Sequence, residues 1–552
     1  MTIAARSPGL EARTEALDTR GEARARIWLA VILAGCLVTL AAAPLPHPDG
    51  DAVLYGTIAK NVLASGEWLT LQHQSGWLVD KPPLTIWLIA LSFRLGGVND
   101  TMLRLWQLLM SLALVVVTYR IARLSAGKEE SLLAALLLVT TLQIFLMSID
   151  PQQDVPLALF LALAFYAYLQ YCRKGRTGSA ALVGLWVALA VLTKGIVGLV
   201  AFAAIVGGDL LVARLRGDRD GHWRWAQIAI GAAVCLAVAA PWFVVGVMRQ
   251  GKPFADTFFL KGTLGVGRFF SPVLRSPGPY WQALIAYVPI LLLWILPWTG
   301  LLPGTVRAAW LSLREGAPSL RLCAVWAGLY FLGLSVSPGD KVFRYLHPLY
   351  PPLAVLAARF LVDALDTPRR LRPAAVISLV VGIPALIALA LLLAGLAPEG
   401  FRLYLPIAIP FMLVFSLVLA AFSAAALRER ARLAVVLLAA GVVVAYGLFE
   451  WQLRQHWEQI WPWRQVAATV HGLYRPGDRV VFVGGPGAES NFASFYLNVP
   501  IAIADDAAVV QAWEAGRVFG LLSPAAFARL RDRLRPTVLV QMPMGWVLVT
   551  NR

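Results

Sequence analysis

The feature that most limits what this chain can become is a series of long apolar runs separated by short polar loops. They cover residues 27–43, 102–124, 132–148, 155–171, 180–193, 196–213, 226–248, 283–302, 322–336, 348–365, 374–396, 403–427 and 433–449. Most approach the roughly 20 residues that cross a bilayer as a helix, so the pattern predicts about 13 membrane spans. With 59% hydrophobic and only 14% charged residues over 552, the chain is built for lipid rather than water. Its +17 net charge does not indicate nucleic acid, because the Lys and Arg sit in short loops between apolar runs and not in a basic block. The four cysteines, Cys36, Cys172, Cys235 and Cys323, form no CxxC pair and lie in or beside apolar runs, so no zinc or disulfide framework is implied.

One further run, 82–95, decides the topology. If it lies along the interface, every even-numbered span exits into a basic loop. These loops hold Arg120/Arg123/Lys128, Arg173/Lys174/Arg176, Arg214/Arg216/Arg219/Arg224, Arg307/Arg314/Arg321, Arg369/Arg370/Arg372 and Arg428/Arg430/Arg432. The positive-inside rule then puts them all in the cytoplasm. If the run crossed, all of them would be translocated. It is also short, carries Arg94 and begins at Pro82-Pro83, so it reads as a juxtamembrane helix. Residues 1–26 are then a cytoplasmic tail, 27–450 the membrane domain, and 451–552 a domain on the same side as the loop that begins near Asp51. Ala41-Ala42-Ala43 resembles a leader cleavage site, but the long charged segment before it favours a retained first span.

In the last segment, β-like runs at 479–483, 500–504, 518–522, 537–541 and 546–549 alternate with helical stretches at 509–515 and 525–534. They predict a small α/β domain. Gly484-Gly485-Pro486-Gly487 lacks the following Lys-Ser/Thr of a phosphate loop and reads as a turn. The outer loop 249–282 interleaves Arg249, Lys252, Lys261, Arg268 and Arg275 with Phe and Tyr. That suits an interfacial segment binding a phosphorylated lipid, or an amphipathic helix whose cations snorkel.

On this topology, one face of the membrane gathers Asp51, Lys81, Asp154, Lys194, Lys341, Arg344, Tyr345 and His347. Ionisable groups at that depth call for a partner or a purpose. Taken singly each has a plain role: Asp51 and Asp154 as helix caps, Lys194 as a snorkelling cation, His347 as a satisfied interfacial histidine. Together they suit displacement from a phosphate-linked donor, with cations neutralising the leaving phosphate and a carboxylate taking a proton from the attacking group.

The ordered set of motifs resembles the GT-C glycosyltransferases that use polyprenyl-phosphate sugars, in the branch of lipid A aminoarabinose transferases and protein O-mannosyltransferases. It comprises Asp51 with Tyr55, Ile58 and Ala59, Gly66-Glu67-Trp68, Lys81-Pro82-Pro83-Leu84, Asp154-Val155-Pro156, Leu192-Thr193-Lys194-Gly195, Pro241-Trp242 and Lys341 to Pro352. The resemblance implies an all-α polytopic membrane domain of about 13 helices with a small C-terminal α/β periplasmic domain. It also implies two juxtamembrane helices in the first outer loop and a third in the large one. By resemblance Asp51 would be the principal catalytic carboxylate and Asp154 the second acid. Lys81, Arg268, Lys341, Arg344 and Tyr345 would hold the donor phosphate, and Tyr55, Lys194 and His347 would contact substrate. The implied partners are a polyprenyl-phosphate sugar donor, a lipid or glycolipid acceptor and the bacterial inner membrane, with the site facing the periplasm and no nucleic acid. No essential metal is expected, a divalent ion staying open. Where aminoarabinose transferases read Asp-Glu-x-Arg-Tyr this chain has Asp51-Ala52-Val53-Leu54-Tyr55, and Leu78-Val79-Asp80 replaces their aromatic-Glu before Lys-Pro-Pro. Both changes put the aminoarabinose donor in question. A protein O-mannosyltransferase-like enzyme and, from another class, a flippase of lipid-linked sugars are the competing readings.

Overall fold

The computed structural model describes residues 8–45, 50–73, 76–77, 81–218, 224–261, 280–337, 341–395, 402–484 and 488–551. The longer helices are α1 (Pro8–Ala41), α2 (Gly50–Ser65), α3 (Leu84–Gly96), α4 (Asp100–Ala122), α5 (Lys128–Val139), α6 (Asp154–Lys174), α7 (Thr177–Lys194), α8 (Ile196–Arg216), α9 (Trp225–Gln250), α10 (Tyr287–Trp294), α11 (Leu302–Glu315), α12 (Pro318–Val336), α13 (Tyr350–Asp366), α14 (Ile383–Gly395), α15 (Leu405–Leu427) and α16 (Ala431–Ile460). Nine helices among the described residues are long and apolar enough to cross a membrane, or 11 if each of two bent pairs counts once. The chain is a multi-pass membrane protein. Of the other expected spans, the apolar part of α1 is the shorter stretch Ala25–Ala41, and residues 372–395 are interrupted by a π-helical turn at Ser378–Gly382.

The expected spans at 132–148 and 283–302 are each bent pairs of helices, and each break satisfies the other. Pro297 has no amide hydrogen to continue a helix, and the chain turns by 116° between α10 and the run Trp298–Glu315. The Leu296 carbonyl freed there accepts from the Leu142 amide at 2.8 Å. That amide is itself free because α5 and Leu142–Ser148 meet at 61°. The hydroxyls of Thr140 and Thr141 bond back to the carbonyls of Leu136 and Leu137, which loosens the helix at this point. Trp298 Nε1 then donates to Thr140 Oγ1 at 3.0 Å, and Tyr446 donates to the Thr140 carbonyl at 2.9 Å. Lipid offers no hydrogen bonds, so irregular backbone at this depth persists only when protein groups satisfy it.

The basic loops lie together at the end of the bundle opposite Asp51. Arg216 reaches the Gly316 carbonyl at 3.1 Å, Gln227 the Gly175 carbonyl at 2.8 Å and Arg369 the Glu429 carboxylate at 3.0 Å. Beneath them the buried Arg321 guanidinium pairs with Asp209 at 2.8 Å and Asp218 at 2.6 Å, and Tyr168 donates to Asp209 at 2.9 Å. A charge pair removed from water is maintained only by such full satisfaction. Tyr168→Phe deletes one charge-assisted hydrogen bond while Arg321 still holds Asp209. It is expected to cost about 1.5 kcal/mol, read as a lowered thermal midpoint in detergent with unchanged secondary structure.

At the Asp51 end, α16 runs on to Ile460, well past the apolar run that ends at Phe449, and leads into α17 (Trp463–Leu473). A five-stranded sheet follows, with β3 (Arg479–Val483), β4 (Ile501–Ile503), β5 (Val518–Leu522), β6 (Thr537–Gln541) and β7 (Val547–Thr550) in the order β4-β3-β5-β7-β6. A small hairpin of β1 (Gln72–His73) and β2 (Gly76–Trp77) belongs to the first outer loop. β3 pairs in parallel with β4 and β5, and β7 is antiparallel to β5 and β6. β3 and β5 are almost wholly buried, as their unbroken apolar sequences require. The strand period of two sends Val481 and Val483 to one face, with α19 (Asp506–Ala515) and α20 (Pro524–Leu534). It sends Val480 and Phe482 to the other, in one cluster with Val53 and Ile58 of α2 and Ile86 and Phe93 of α3. The two helices expected in the first outer loop are therefore present and form the platform on which the sheet domain rests.

Candidate active site

Asp51 occupies the first turn of α2, and Asp154 is the first residue of α6. Between them stands Arg344, in the 3-10 segment Phe343–Leu349. Its Nη2 donates to Asp51 Oδ2 at 3.1 Å and its Nε lies 3.7 Å from Asp154 Oδ2. Lys194, at the last turn of α7 before the positive-φ Gly195, donates to Asp154 Oδ1 at 2.5 Å. Two carboxylates and two cations, drawn from four segments of the chain, thus form one linked group. The acids differ in setting: the Asp154 side chain is 3% exposed and fixed on two cations, whereas that of Asp51 is 41% exposed. Asp154 is thus held out of solvent on two cations, and Asp51 is the more accessible of the two acids.

Supporting contacts set Arg344. The Gln143 amide donates to the Phe343 carbonyl at 2.9 Å and accepts from Tyr350 at 2.5 Å, while Phe343 stacks on Trp294 at 4.2 Å. Tyr345 places its ring 4.2 Å from Lys194 Nζ, a cation–π contact that leaves this lysine shared between a carboxylate and an aromatic face. Lys194 and Tyr345 line one end of a cavity of about 170 Å³ between α8 and α12, walled by Val197, Ala201, Leu329 and Tyr330.

The other residues expected here are placed as follows. Lys341 donates to the carbonyls of Leu334, Ser335 and Ser337, closing the C-terminus of α12, and lies 5.3 Å from the Tyr287 ring. Tyr55 is 2% exposed, packed in the cluster of α2, α3 and the sheet domain. His347 is fully buried, within the field of Lys194, and neither ring nitrogen has a hydrogen-bond partner among the described residues. Lys81 is half-buried just before α3. Arg268 lies outside the described residues, whereas the large outer loop, where one helix is expected, opens with a short helical segment, Lys252–Ala255 continued by a π-helical turn at Asp256–Lys261. No group of three His, Cys, Asp or Glu side chains able to hold a metal ion occurs among the described residues.

Two of the short motifs prove architectural. Trp242 Nε1 donates to the Leu69 carbonyl at 3.0 Å, and Arg249 pairs with Glu67 at 2.9 Å. The Leu69 amide, and then Arg249, hold the Glu67 carboxyl below its ordinary value. These contacts tie α9 to the first outer loop. The sheet domain grips the same loop through α18 (Ala488–Leu497). Asn491 donates to the Gly50 carbonyl at 3.4 Å, one residue before Asp51, and Lys60 to the Ser494 carbonyl at 2.8 Å. Burial lowers the Lys60 pKa. Phe495 packs so closely on Gly56 that an added Cβ would lie 2.8 Å from its ring.

The sequence reading missed one face of α4. Asp100, Arg104 and Gln107 follow one another at helical spacing and are all buried. Asp100 accepts from Arg464 and from Tyr496 of the sheet domain, each at 2.6 Å; burial and Asp100 push the Tyr496 phenol up, so it remains a donor. Arg104 Nε donates to the Ile149 carbonyl at 2.8 Å, and Gln107 to the carbonyls of Met147 and Asp150 at 2.8 and 2.9 Å. These carbonyls belong to the turn that delivers Asp154. An arginine and an amide at this spacing in an apolar run were the signal available in the sequence.

Residues 80–244 match the model of the dolichyl-phosphate-mannose-protein mannosyltransferase family. Among curated proteins, an uncharacterized protein of Aquifex aeolicus is 28% identical over 311 residues, 56% of this chain and 58% of its own length. An undecaprenyl phosphate-alpha-4-amino-4-deoxy-L-arabinose arabinosyl transferase of Edwardsiella ictaluri is 25% identical over 364 residues, 64% of this chain and 63% of its own. The chain thus spans about three fifths of the curated relatives it matches. Among solved structures, ArnT from Cupriavidus metallidurans bound to undecaprenyl phosphate superposes with a TM-score of 0.79 at 21% identity, over 95% of this chain and 98% of that one. The oligosaccharyltransferase AglB of Archaeoglobus fulgidus gives 0.50 at 12% identity, over 90% and 69%. The membrane helices and the C-terminal sheet domain together are the GT-C fold.

Proposed function

We propose that this chain is a glycosyltransferase that moves a sugar from undecaprenyl phosphate to an acceptor at the Asp51 face, with lipid A or another lipid-linked glycan as that acceptor. The observation that carries the reading is the placement of Lys194 and Tyr345. They head an apolar cavity on one side and, through Asp154 and Arg344, meet Asp51 on the other. An isoprenoid phosphate needs an apolar trough ending in a cation. A glycosyl acceptor needs a carboxylate that solvent can reach. The likeness to transferases whose names specify undecaprenyl phosphate donors supports the same assignment.

In the proposed reaction the bond between the anomeric carbon and the phosphate oxygen breaks, and the leaving undecaprenyl phosphate carries the negative charge toward Lys194 and Arg344. The acceptor oxygen forms the new bond and passes its proton to Asp51. Preorganised cations at the point where charge develops contribute more than groups that must first reorganise. Asp154 keeps both cations in place, a positioning role that its burial suits. We further propose that the membrane is the bacterial inner membrane and that Asp51 faces the periplasm, a reading supported by the basic loops clustered at the opposite end. The match of residues 80–244 to a protein mannosyltransferase family favours polypeptide Ser/Thr as the second acceptor class.

The test is purified full-length protein in proteoliposomes, offered a panel of labelled undecaprenyl-phosphate sugars with lipopolysaccharide, lipid-linked glycan or Ser/Thr peptide. Consumption of one donor, with release of undecaprenyl phosphate equal to the label on a lipid acceptor, is the expected result. Label on peptide would move the acceptor to the second class. Donor that crosses the bilayer unchanged, with no acceptor labelled, would make the protein a flippase.

A further inference from the structure

The end of the bundle opposite Asp51 holds a second cavity, of about 770 Å³, between α11 and α13. Nothing in the proposed transfer uses it. After the 116° bend, α11 lays Thr305, Ala308 and Ser312 against the bundle and leaves Val306, Trp310 and Leu311 exposed at 66%, 54% and 49%. Arg314 covers the Trp310 ring at 4.7 Å. Tryptophan and arginine side by side on an amphipathic helix are the composition of a segment seated at a lipid headgroup layer.

Three guanidiniums line the cavity against two carboxylates. Arg359 pairs with Glu130 at 3.2 Å and Arg370 with Asp363 at 3.5 Å, while Glu315 contributes the second lining acid. Arg307, exposed at the cavity wall, has no ion-pair partner among the described residues. Apolar Pro303, Leu311 and Phe360 complete the wall. A volume within the roughly 300–1,000 Å³ of small-molecule sites, one unspent arginine and an apolar rim open to acyl chains together fit one class of ligand.

We infer that this cavity is a binding site for an anionic phospholipid, its phosphodiester on Arg307 with Arg370 beside it and its acyl chains along Val306 and Trp310. A soluble phosphate would satisfy the arginine and leave the apolar rim exposed. A zwitterionic lipid would bring its own cation close to Arg307, which has no ion-pair partner among the described residues. The lipid would hold α11 against α13 where the chain has left its span, independently of what the Asp51 site does.

The experiment is native mass spectrometry of the full-length protein in detergent, titrated with phosphatidylglycerol or phosphatidylcholine of the same chains. One phosphatidylglycerol is expected to be retained in preference to phosphatidylcholine. Arg307→Gln is expected to weaken its retention about 5-fold, the worth of one basic residue at an anionic membrane surface. Arg370→Gln should reduce it further, with the thermal midpoint of both variants confirming the fold. Arg428→Gln, in another basic loop, should leave retention unchanged. Equal retention of the two lipids, an equal loss in Arg428→Gln, or displacement of the lipid by matching concentrations of glycerol phosphate would each overturn the assignment.

Discussion

Asp51→Asn is expected to slow sugar transfer by about 10²-fold or more, the scale of losing a general base, while binding of undecaprenyl phosphate changes little. The separation follows from the geometry. The donor's phosphate and chain are assigned to Lys194, Tyr345 and the cavity between α8 and α12, which the substitution does not touch, and to Arg344, which it meets through a single hydrogen bond. Asn keeps the size of the side chain and can still accept from Arg344, so the 3.1 Å contact that ties α2 to the 3-10 segment is retained in form. What is lost is the negative charge and the basicity of the one linked carboxylate that solvent reaches. Initial rates with saturating donor, a titration of undecaprenyl phosphate by quenching of intrinsic fluorescence, and a melting curve separate the three consequences. A normal rate in the Asn variant would reduce Asp51 to a strut for Arg344. A lost rate with lost lipid binding would move the error to the donor site.

The sequence made the axial position of each polar group legible, and little else about it. Spans have lengths and loops have charges, so parity put Asp51, Asp154, Lys194 and Arg344 on one face, and the structure joins these four side chains. How a side chain points around its helix is decided by neighbours far away in sequence. Lys341 stands at the expected depth, yet it turns back onto the carbonyls that end α12. Tyr55 lies one turn from Asp51 but on the face of α2 that meets the sheet domain. The run 283–302 has the hydropathy of a crossing helix, and only the partnership of Leu296 with Leu142 shows that it breaks. In the C-terminal domain, β3, β5 and β6 fall where short apolar and β-branched runs put them. α17 and α18, whose apolar faces are completed by the membrane domain, were not read.

The buried face of α4 leads to the second large effect. Arg104→Ala is expected to cut transfer by about 10²-fold at saturating donor, because an error near 1 Å in a reacting group is enough for such a loss. Arg104 is nowhere near the substrate in the proposed reaction; it holds the Ile149 carbonyl, five residues before Asp154, while Asp100 one turn earlier holds the sheet domain. Removing the guanidinium frees the turn that aims Asp154, while Asp100 keeps Arg464 and Glu450 keeps the field of Arg454. Some loss of stability must follow, since the buried Ile149 carbonyl loses its donor, at about 1–3 kcal/mol, and the space of a fully buried side chain is left empty. Gln107→Leu therefore carries the distinction. It removes two hydrogen bonds from the same turn without stranding a charge, at about 1–3 kcal/mol in stability. A fall in kcat with the donor KM preserved would mark α4 as the positioning element for Asp154. Arg104→Lys, which restores the charge and one donor, should recover part of the rate. If Gln107→Leu and Arg104→Lys keep native kcat while Asp154→Asn is inactive, the α4 face only braces the domain interface. If Asp154→Asn is itself fully active, the turn has nothing to position and the role given to Asp154 is wrong.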